Sequence, residues 1–274
     1  MSTYSDKPLT AVTLNTLAKM KKSGEKIACL TAYDATFTAV LEAADIEVIL
    51  VGDSLGMVIQ GVATTLPVTV DEMIYHCRCV ARARKRALLI ADMPFMSYSS
   101  PAQALENAAR LMKEGGAQMV KLEGGGDQSE VVRALARNGI PVCAHLGLRP
   151  QSFYKMGGYR VQGRDAAAAQ SIVDDAQALQ LAGADLLLLE CVTTAVAETV
   201  VATTEVPVIG IGAASSCAGQ VLVLHDILGI TPGKRPRFCK DFMLGADSIQ
   251  GAVERYVAAV KSGAFPAAEH TFCT

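Results

Sequence analysis

The chain reads as a parallel (β/α)8 TIM barrel, and three observations point there. Eight short apolar runs, each the length of a buried strand, recur along it: IACLTAYD, VILVGDS, ALLIADMPF, MVKLEGG, PVCAHLGL, LLLLECV, VPVIGIGA and VLVLHDILG. Strands covered on both faces read as such near-continuous runs. Helical periodicity fills most of the intervals, and acidic residues end several of the runs, where an α/β barrel builds its active site.

Taken in order, TLNTLAKMKKSGE opens the chain as an additional helix, suited to cap the barrel floor. DEMIYHCRCVARARK, SPAQALENAARLMKEGG, DQSEVVRALARNG and RDAAAAQSIVDDAQALQLAGA then alternate with the runs as amphipathic helices. Several begin at Asp, Ser or Pro and end at Gly, as helix termini require. The interval before VLVLHDILG, with only SSCAGQ to fill it, is too short for a full helix. One strand fewer would make the sheet open and doubly wound. FMLGADSIQGAVERYVAAVKSG closes the chain as one more helix, ended by Gly263 and Pro266. After PVCAHLGL comes SFYKMGGYRVQGR, a long loop rich in Gly, cationic and aromatic side chains, which reads either as a mobile lid or as an ordered excursion with only structural duties.

At 274 residues, with 51% hydrophobic and 19% charged residues, residues 1–274 are expected to form one barrel domain with ample core. A net charge of −2 argues against nucleic acid or anionic membrane as a partner. The apolar stretches fall short of the roughly 18 residues a transmembrane span needs, and MSTYSDKPLT lacks the apolar core of a secretory signal, so a cytoplasmic location is expected. Of the eight cysteines, Cys29, Cys143 and Cys191 lie inside apolar runs and read as small hydrophobes. Cys77 and Cys79 stand two apart on a helix, hence on different faces, with no second close pair to complete a zinc set.

Asp53, Asp92 and Glu123 each end an apolar run. They offer oxygen ligands only, which favours Mg²⁺ over zinc. Lys121 lies two residues before Glu123, so both side chains face the same way along a strand. A lysine inside that run must meet carboxylates or an anionic substrate. Ser54 follows Asp53 and has a hydroxyl and an N–H for a substrate carboxylate, or for capping a turn. Glu190 terminates LLLLE and is the candidate general base. His145, ending VCAH, is placed to neutralise substrate or titrate in turnover, unless it is a satisfied core histidine. His225 and Asp226 end the last run, with supporting roles at most. A divalent ion, a lysine and a separate carboxylate base suit proton removal beside a carbonyl, with a 2-keto acid as substrate.

The stretches VGDSLGMVIQGVATTLPVTVDEMIYHCRCV, ADMPFMSY, VKLEGG, HLGLRPQS, GGYRVQGR, LLLLECV and RPRF resemble the ketopantoate hydroxymethyltransferase family, from about residue 10 to the C-terminus. The resemblance implies a TIM barrel of the phosphoenolpyruvate/pyruvate type and the first committed step of pantothenate synthesis. It further implies Mg²⁺, with 5,10-methylenetetrahydrofolate as co-substrate giving its one-carbon unit to 3-methyl-2-oxobutanoate. Carried onto matching positions, Asp53, Asp92 and Glu123 belong to the metal site and Ser54 and Lys121 to keto-acid binding. Glu190 matches the proton acceptor and His145 the active-site strand. A homo-oligomer, a decamer of two pentameric rings, is the implied assembly.

Three positions depart from the family pattern. Ala214 and Ala218, in GIGAASSCAGQ, replace a Gly and an acidic residue, and Ala44 stands where Gly is usual. Alanine for glycine is costly only where φ is positive. A lyase or mutase of the phosphoenolpyruvate mutase/isocitrate lyase group is the rival enzyme reading, but the lyases' cysteine motif KKCGH is absent from the sequence. A barrel that has lost activity is the rival non-enzyme reading, and only the altered loop speaks for it.

Overall fold

The computed structural model describes residues 10–233 and 235–273; residues 1–9, most of the segment read as lacking a secretory core, lie outside the described residues. In chain order the first half comprises α1 (Leu14–Ser23), β1 (Ile27–Thr31), α2 (Ala35–Ala43), β2 (Val48–Val51), α3 (Leu55–Val58), α4 (Val70–Ala83), β3 (Leu88–Asp92), α5 (Pro101–Lys113) and β4 (Met119–Glu123). The second half comprises α6 (Ser129–Arg137), β5 (Val142–Gly147), α7 (Phe153–Met156), α8 (Ala166–Ala182), β6 (Leu186–Glu190), α9 (Thr194–Thr203), β7 (Val208–Ile211), β8 (Gly219–Leu222), α10 (Leu224–Ile227) and α11 (Ile249–Lys261). The eight strands close in sequence order into a parallel barrel, β8 pairing back onto β1 with Gly219 beside Ile27. Among the described residues no helix is long and apolar enough to cross a membrane.

The helix boundaries follow from local chemistry. Thr69 and Glu72 form a reciprocal capping box ahead of α4. Ser100 caps α5 with Pro101 in the first turn, and Asp34, Asp165 and Ser248 cap α2, α8 and α11. Gly24 and Gly183, at φ 76° and 111°, end α1 and α8 in the left-handed conformation that favours glycine. The aliphatic side chains of the strands are buried throughout, each worth roughly 1.5–3 kcal/mol of transfer free energy.

The opening helix α1 lies against segments that lead into the strands. Leu17 and Met20 of α1 are buried. Lys21 Nζ donates to Thr204 O and Val206 O at 2.7 and 3.0 Å, on the segment entering β7. The closing helix α11 lies over the β1/β8 seam, where the Tyr256 hydroxyl reaches Cys29 O at 2.8 Å and Gln220 O at 2.9 Å.

Two details differ from the apolar pattern. The last strand begins at Gly219, before the run VLVLHDILG, and ends at Leu222; His225 and Asp226 fall in α10. Gly219 packs against the β1 backbone, where an added Cβ would lie 2.4 Å from Ile27 O, so an unbranched, weakly apolar start is needed there. No helix separates β7 from β8, which agrees with the short SSCAGQ interval.

The three alanine departures carry no backbone strain, because Asp45, Met96 and Cys191 are the positive-φ non-glycine residues among those described. Ala44 itself sits at φ −92°, and Asp45 takes the left-handed position after α2. Ala44→Gly therefore lowers stability by about 0.5–1 kcal/mol, read from urea midpoints; a stabilised variant would contradict this backbone assignment.

All eight cysteines are free. Burial pushes the Cys143 thiol up to about 12 and Cys217 to about 11, so both behave as packing groups.

Candidate active site

The carboxyl ends of the strands surround a cavity of about 510 Å³. Asp53, Asp92, Lys121, Glu123, His145 and Glu190 all line it, with Ser54 beside them. The strand register explains the convergence. Asp92 pairs with Lys121 across β3 and β4, and Glu123 pairs with His145 across β4 and β5. In a parallel barrel, paired positions point to the same side.

Lys121 Nζ donates to Asp92 Oδ1 at 2.6 Å, both side chains buried. The second Asp92 oxygen accepts the Asp53 N–H at 3.0 Å, which sets the two acids side by side. Burial alone would lower the Lys121 pKa, but the charges of Asp92, Glu123 and Asp53 hold it above the ordinary value. Asp53 is pushed well up, by burial first and then by the like charges of Asp92 and Glu123.

Gln151, which the residue-by-residue reading missed, ties these acids together. Its Nε2 donates to Asp53 Oδ2 at 2.9 Å and Met93 O at 3.0 Å, and its backbone N–H donates to Glu123 Oε2 at 3.0 Å. Its Oε1 accepts from the Tyr98 hydroxyl. The only sequence signal was position: Gln151 follows closely on the strand that carries His145, in the segment RPQS. Gln151→Leu leaves buried acceptors without donors and is expected to lower kcat/KM about 10- to 100-fold and stability by about 1–3 kcal/mol. Steady-state kinetics and urea unfolding read both; an unchanged variant would remove Gln151 from the site.

On the opposite wall, His145 lies between two carboxylates, Nδ1 at 3.4 Å from Glu123 and Nε2 at 3.3 Å from Glu190. These are ion-pair distances without hydrogen-bond alignment. Burial and Lys121 lower the His145 pKa, yet Glu123 and Glu190 outweigh them and the net shift is upward. Glu190 ends β6 and keeps 14% of its side chain exposed, unlike the sealed Glu123 at 3%. A base needs that access to substrate. Cys191 then turns the chain at φ 47°, and Gly147 allows the close approach of β5, since a Cβ there would lie 2.2 Å from Glu190 O.

Ser54 begins α3 without capping it through its side chain, and its Oγ lies 2.8 Å from the Tyr33 hydroxyl. Asp226 borders the cavity and accepts from Thr231 Oγ1 at 2.6 Å and Cys239 Sγ at 3.3 Å. His225 packs against the Tyr33 and Phe37 rings. The expected lid forms a short turn and α7, then brings Tyr159 and Arg160 to the cavity. It is pinned on its return by Gln162 N–H donating to Cys191 O at 2.8 Å.

Among the described residues, no group of three or more His, Cys, Asp or Glu side chains is arranged to hold a metal ion. The donor set nonetheless fits a hard divalent cation. Asp53, Asp92 and Glu123 surround the one Lys121 ammonium, and Mg²⁺ is commonly held by one or two carboxylates with water and substrate oxygens completing its shell. Asp53 and Asp92 are the two adjacent acids, while Glu123 is engaged by Gln151 and His145.

Solved structures share this architecture. A phosphonopyruvate hydrolase in complex with oxalate and Mg²⁺ superposes with TM-score 0.59 at 13% identity, covering 77% of this chain and 80% of that one. A 2,3-dimethylmalate lyase, a member of the PEP mutase/isocitrate lyase superfamily, gives TM-score 0.58 at 16% identity, covering 78% and 79%. At such identities the likeness shows the fold alone, a closed parallel (β/α)8 barrel. Sequence relationship is much nearer elsewhere: the 3-methyl-2-oxobutanoate hydroxymethyltransferase of Alkalilimnicola ehrlichii is 62% identical over 261 residues, 95% of this chain and 94% of that protein. The family profile of ketopantoate hydroxymethyltransferase matches residues 11–268. With that profile spanning nearly the whole chain, the protein belongs to the ketopantoate hydroxymethyltransferase family.

Proposed function

We propose that the protein is a hydroxymethyltransferase acting on 3-methyl-2-oxobutanoate, with 5,10-methylenetetrahydrofolate as the one-carbon donor and 2-dehydropantoate as the product. The observation that carries this reading is the division of the cavity floor: a buried Asp53–Asp92–Lys121 group on one wall, and Glu190 with His145 facing it from the β5/β6 side. The first wall suits the carboxylate and keto oxygens of a 2-keto acid; the second suits a proton acceptor.

Asp53 and Asp92 are the residues that would hold Mg²⁺, with Glu123 adding negative charge behind them. The ion supplies Lewis-acid polarisation of the keto acid, favouring charge build-up on its oxygen. Lys121 sets Asp92 in place and balances part of the buried negative charge. Ser54 Oγ offers a donor to the substrate carboxylate. Glu190 takes the proton from C3, and the His145 ring, 3.3 Å away, lies close enough to steady the charge on its carboxylate.

The enolate carbon then forms a bond to the donor's methylene carbon. Over the whole reaction that carbon gains the C–C bond and an oxygen from water, and loses both its bonds to tetrahydrofolate nitrogen. The two nitrogens receive the C3 proton and one proton of the water. The lid, with Tyr159 over the cavity, restricts water during proton removal.

Incubation with 3-methyl-2-oxobutanoate and ¹³C-methylene-labelled donor tests the reading. Label in the new hydroxymethyl carbon of 2-dehydropantoate is expected. Binding of the keto acid without any labelled product would sink the proposal. Assembly as a homo-oligomer, a decamer of two pentameric rings, belongs to the same proposal, and light scattering on the eluted protein checks it.

A further inference from the structure

The cavity is charged oppositely at its two ends. Its floor is acidic, as described, whereas Arg160, Arg235 and Arg237 line its mouth. Arg160 comes from the lid after β5, and Arg235 and Arg237 from the segment between α10 and α11, so two separate parts of the chain bring cations to one place. A five-carbon keto acid held on the floor leaves most of about 510 Å³ to a larger molecule.

The three guanidinium groups are not equally occupied. Arg235 Nη2 pairs with Asp241 Oδ2 at 3.0 Å. Arg237 Nε donates to the Glu269 carbonyl at 2.9 Å, and its guanidinium lies over the Phe272 ring, 5.5 Å from the centroid. That arrangement fixes the plane of the group, and no carboxylate pairs with Arg237, or with Arg160, among the described residues. Phe238 and Phe272, half-buried where the arginines are exposed and the floor acids buried, also line the cavity and give it an apolar, aromatic stretch.

The ligand that matches this order is elongated: a reactive end toward the acids, an aromatic middle, and an anionic end toward solvent. We propose that Arg160, Arg235 and Arg237 form a subsite for the glutamyl carboxylates of the folate donor, with Arg160 and Arg237 as its principal cations. This rests on the reading of a folate as the one-carbon source. Planar guanidinium groups suit carboxylates because they offer paired donors. Because the subsite is exposed, its attraction weakens with salt.

The test is calorimetric titration of the full-length protein, supplied with Mg²⁺ and saturating 3-methyl-2-oxobutanoate. The titrants are tetrahydrofolate with one or five glutamyl residues, which carry no one-carbon unit and so cannot turn over. The pentaglutamyl form is expected to bind about tenfold tighter at low salt, with the advantage shrinking as salt is raised. Arg160→Ala with Arg237→Ala should abolish the chain-length preference, and Arg160→Glu alone should reverse part of it. Thermal melting checks that each variant is folded. Wild-type affinity independent of glutamyl number would overturn the subsite while leaving the donor reading intact. A preference that survives in both variants would overturn it too, since the tail would then run elsewhere. Failure of either form to bind would sink the donor reading, and the subsite with it.

Discussion

Glu190→Gln lowers the rate of C3 proton loss from 3-methyl-2-oxobutanoate by about 10²- to 10⁴-fold, with little change in keto-acid affinity. The amide keeps the size and hydrogen-bonding reach of the carboxylate but cannot accept the proton. Glu190 is the one cavity acid that ends a strand beside His145 while retaining access to the interior, and the floor acids are committed to Lys121, Gln151 and each other. Exchange in D₂O followed by NMR isolates this step from donor chemistry. A variant that exchanges at the wild-type rate would move the base to another residue, with His145 first in line.

Lys121→Met is expected to destabilise the fold by about 3–5 kcal/mol at neutral pH, the usual cost of breaking a buried ion pair by removing one partner. Methionine fills similar space, so the loss is electrostatic rather than a cavity effect. Asp92 would lose its only ion-pair partner among the described residues, and Asp53 and Glu123 would lose the ammonium that offsets their charge. The deficit has a defined pH dependence. Asp53 already protonates more readily in the folded protein than in the unfolded chain, so a falling pH favours the folded state at this group. Without Lys121 that effect grows, and the deficit shrinks as pH is lowered from about 8 towards about 5. Urea unfolding across that range checks both claims; a variant of wild-type stability would mean that Lys121 does not offset the buried acids.

Much of this site was legible because a barrel converts strand position into site position. Asp92, Glu123 and Glu190 are the last residues of their strands, and Asp53 lies just beyond β2. The period of two that placed Lys121 on the same face as Glu123 also puts it beside Asp92, through register rather than through sequence proximity. Gln151 was not legible because its partners are Asp53, Met93 and Glu123, and only tertiary structure brings a loop amide to three different strand ends. The last strand was displaced for a similar reason. Its first residues, Gly219 and Gln220, are chosen by close packing against β1 and by a hydrogen bond from Gln220 Nε2 to Ala214 O at 3.1 Å, not by hydrophobicity. The arginines at the mouth carried no periodic signal, since they come from two irregular segments that meet only across the cavity.

The most direct test of the central claim is C3 proton loss of 3-methyl-2-oxobutanoate in D₂O by wild-type protein, before any folate is added, with Mg²⁺ and after its removal by chelation. The account predicts rapid exchange with Mg²⁺, collapsing on chelation and restored when the ion is returned. Keto acid that binds with Mg²⁺ present yet keeps its C3 proton would contradict an enolising site at the strand ends.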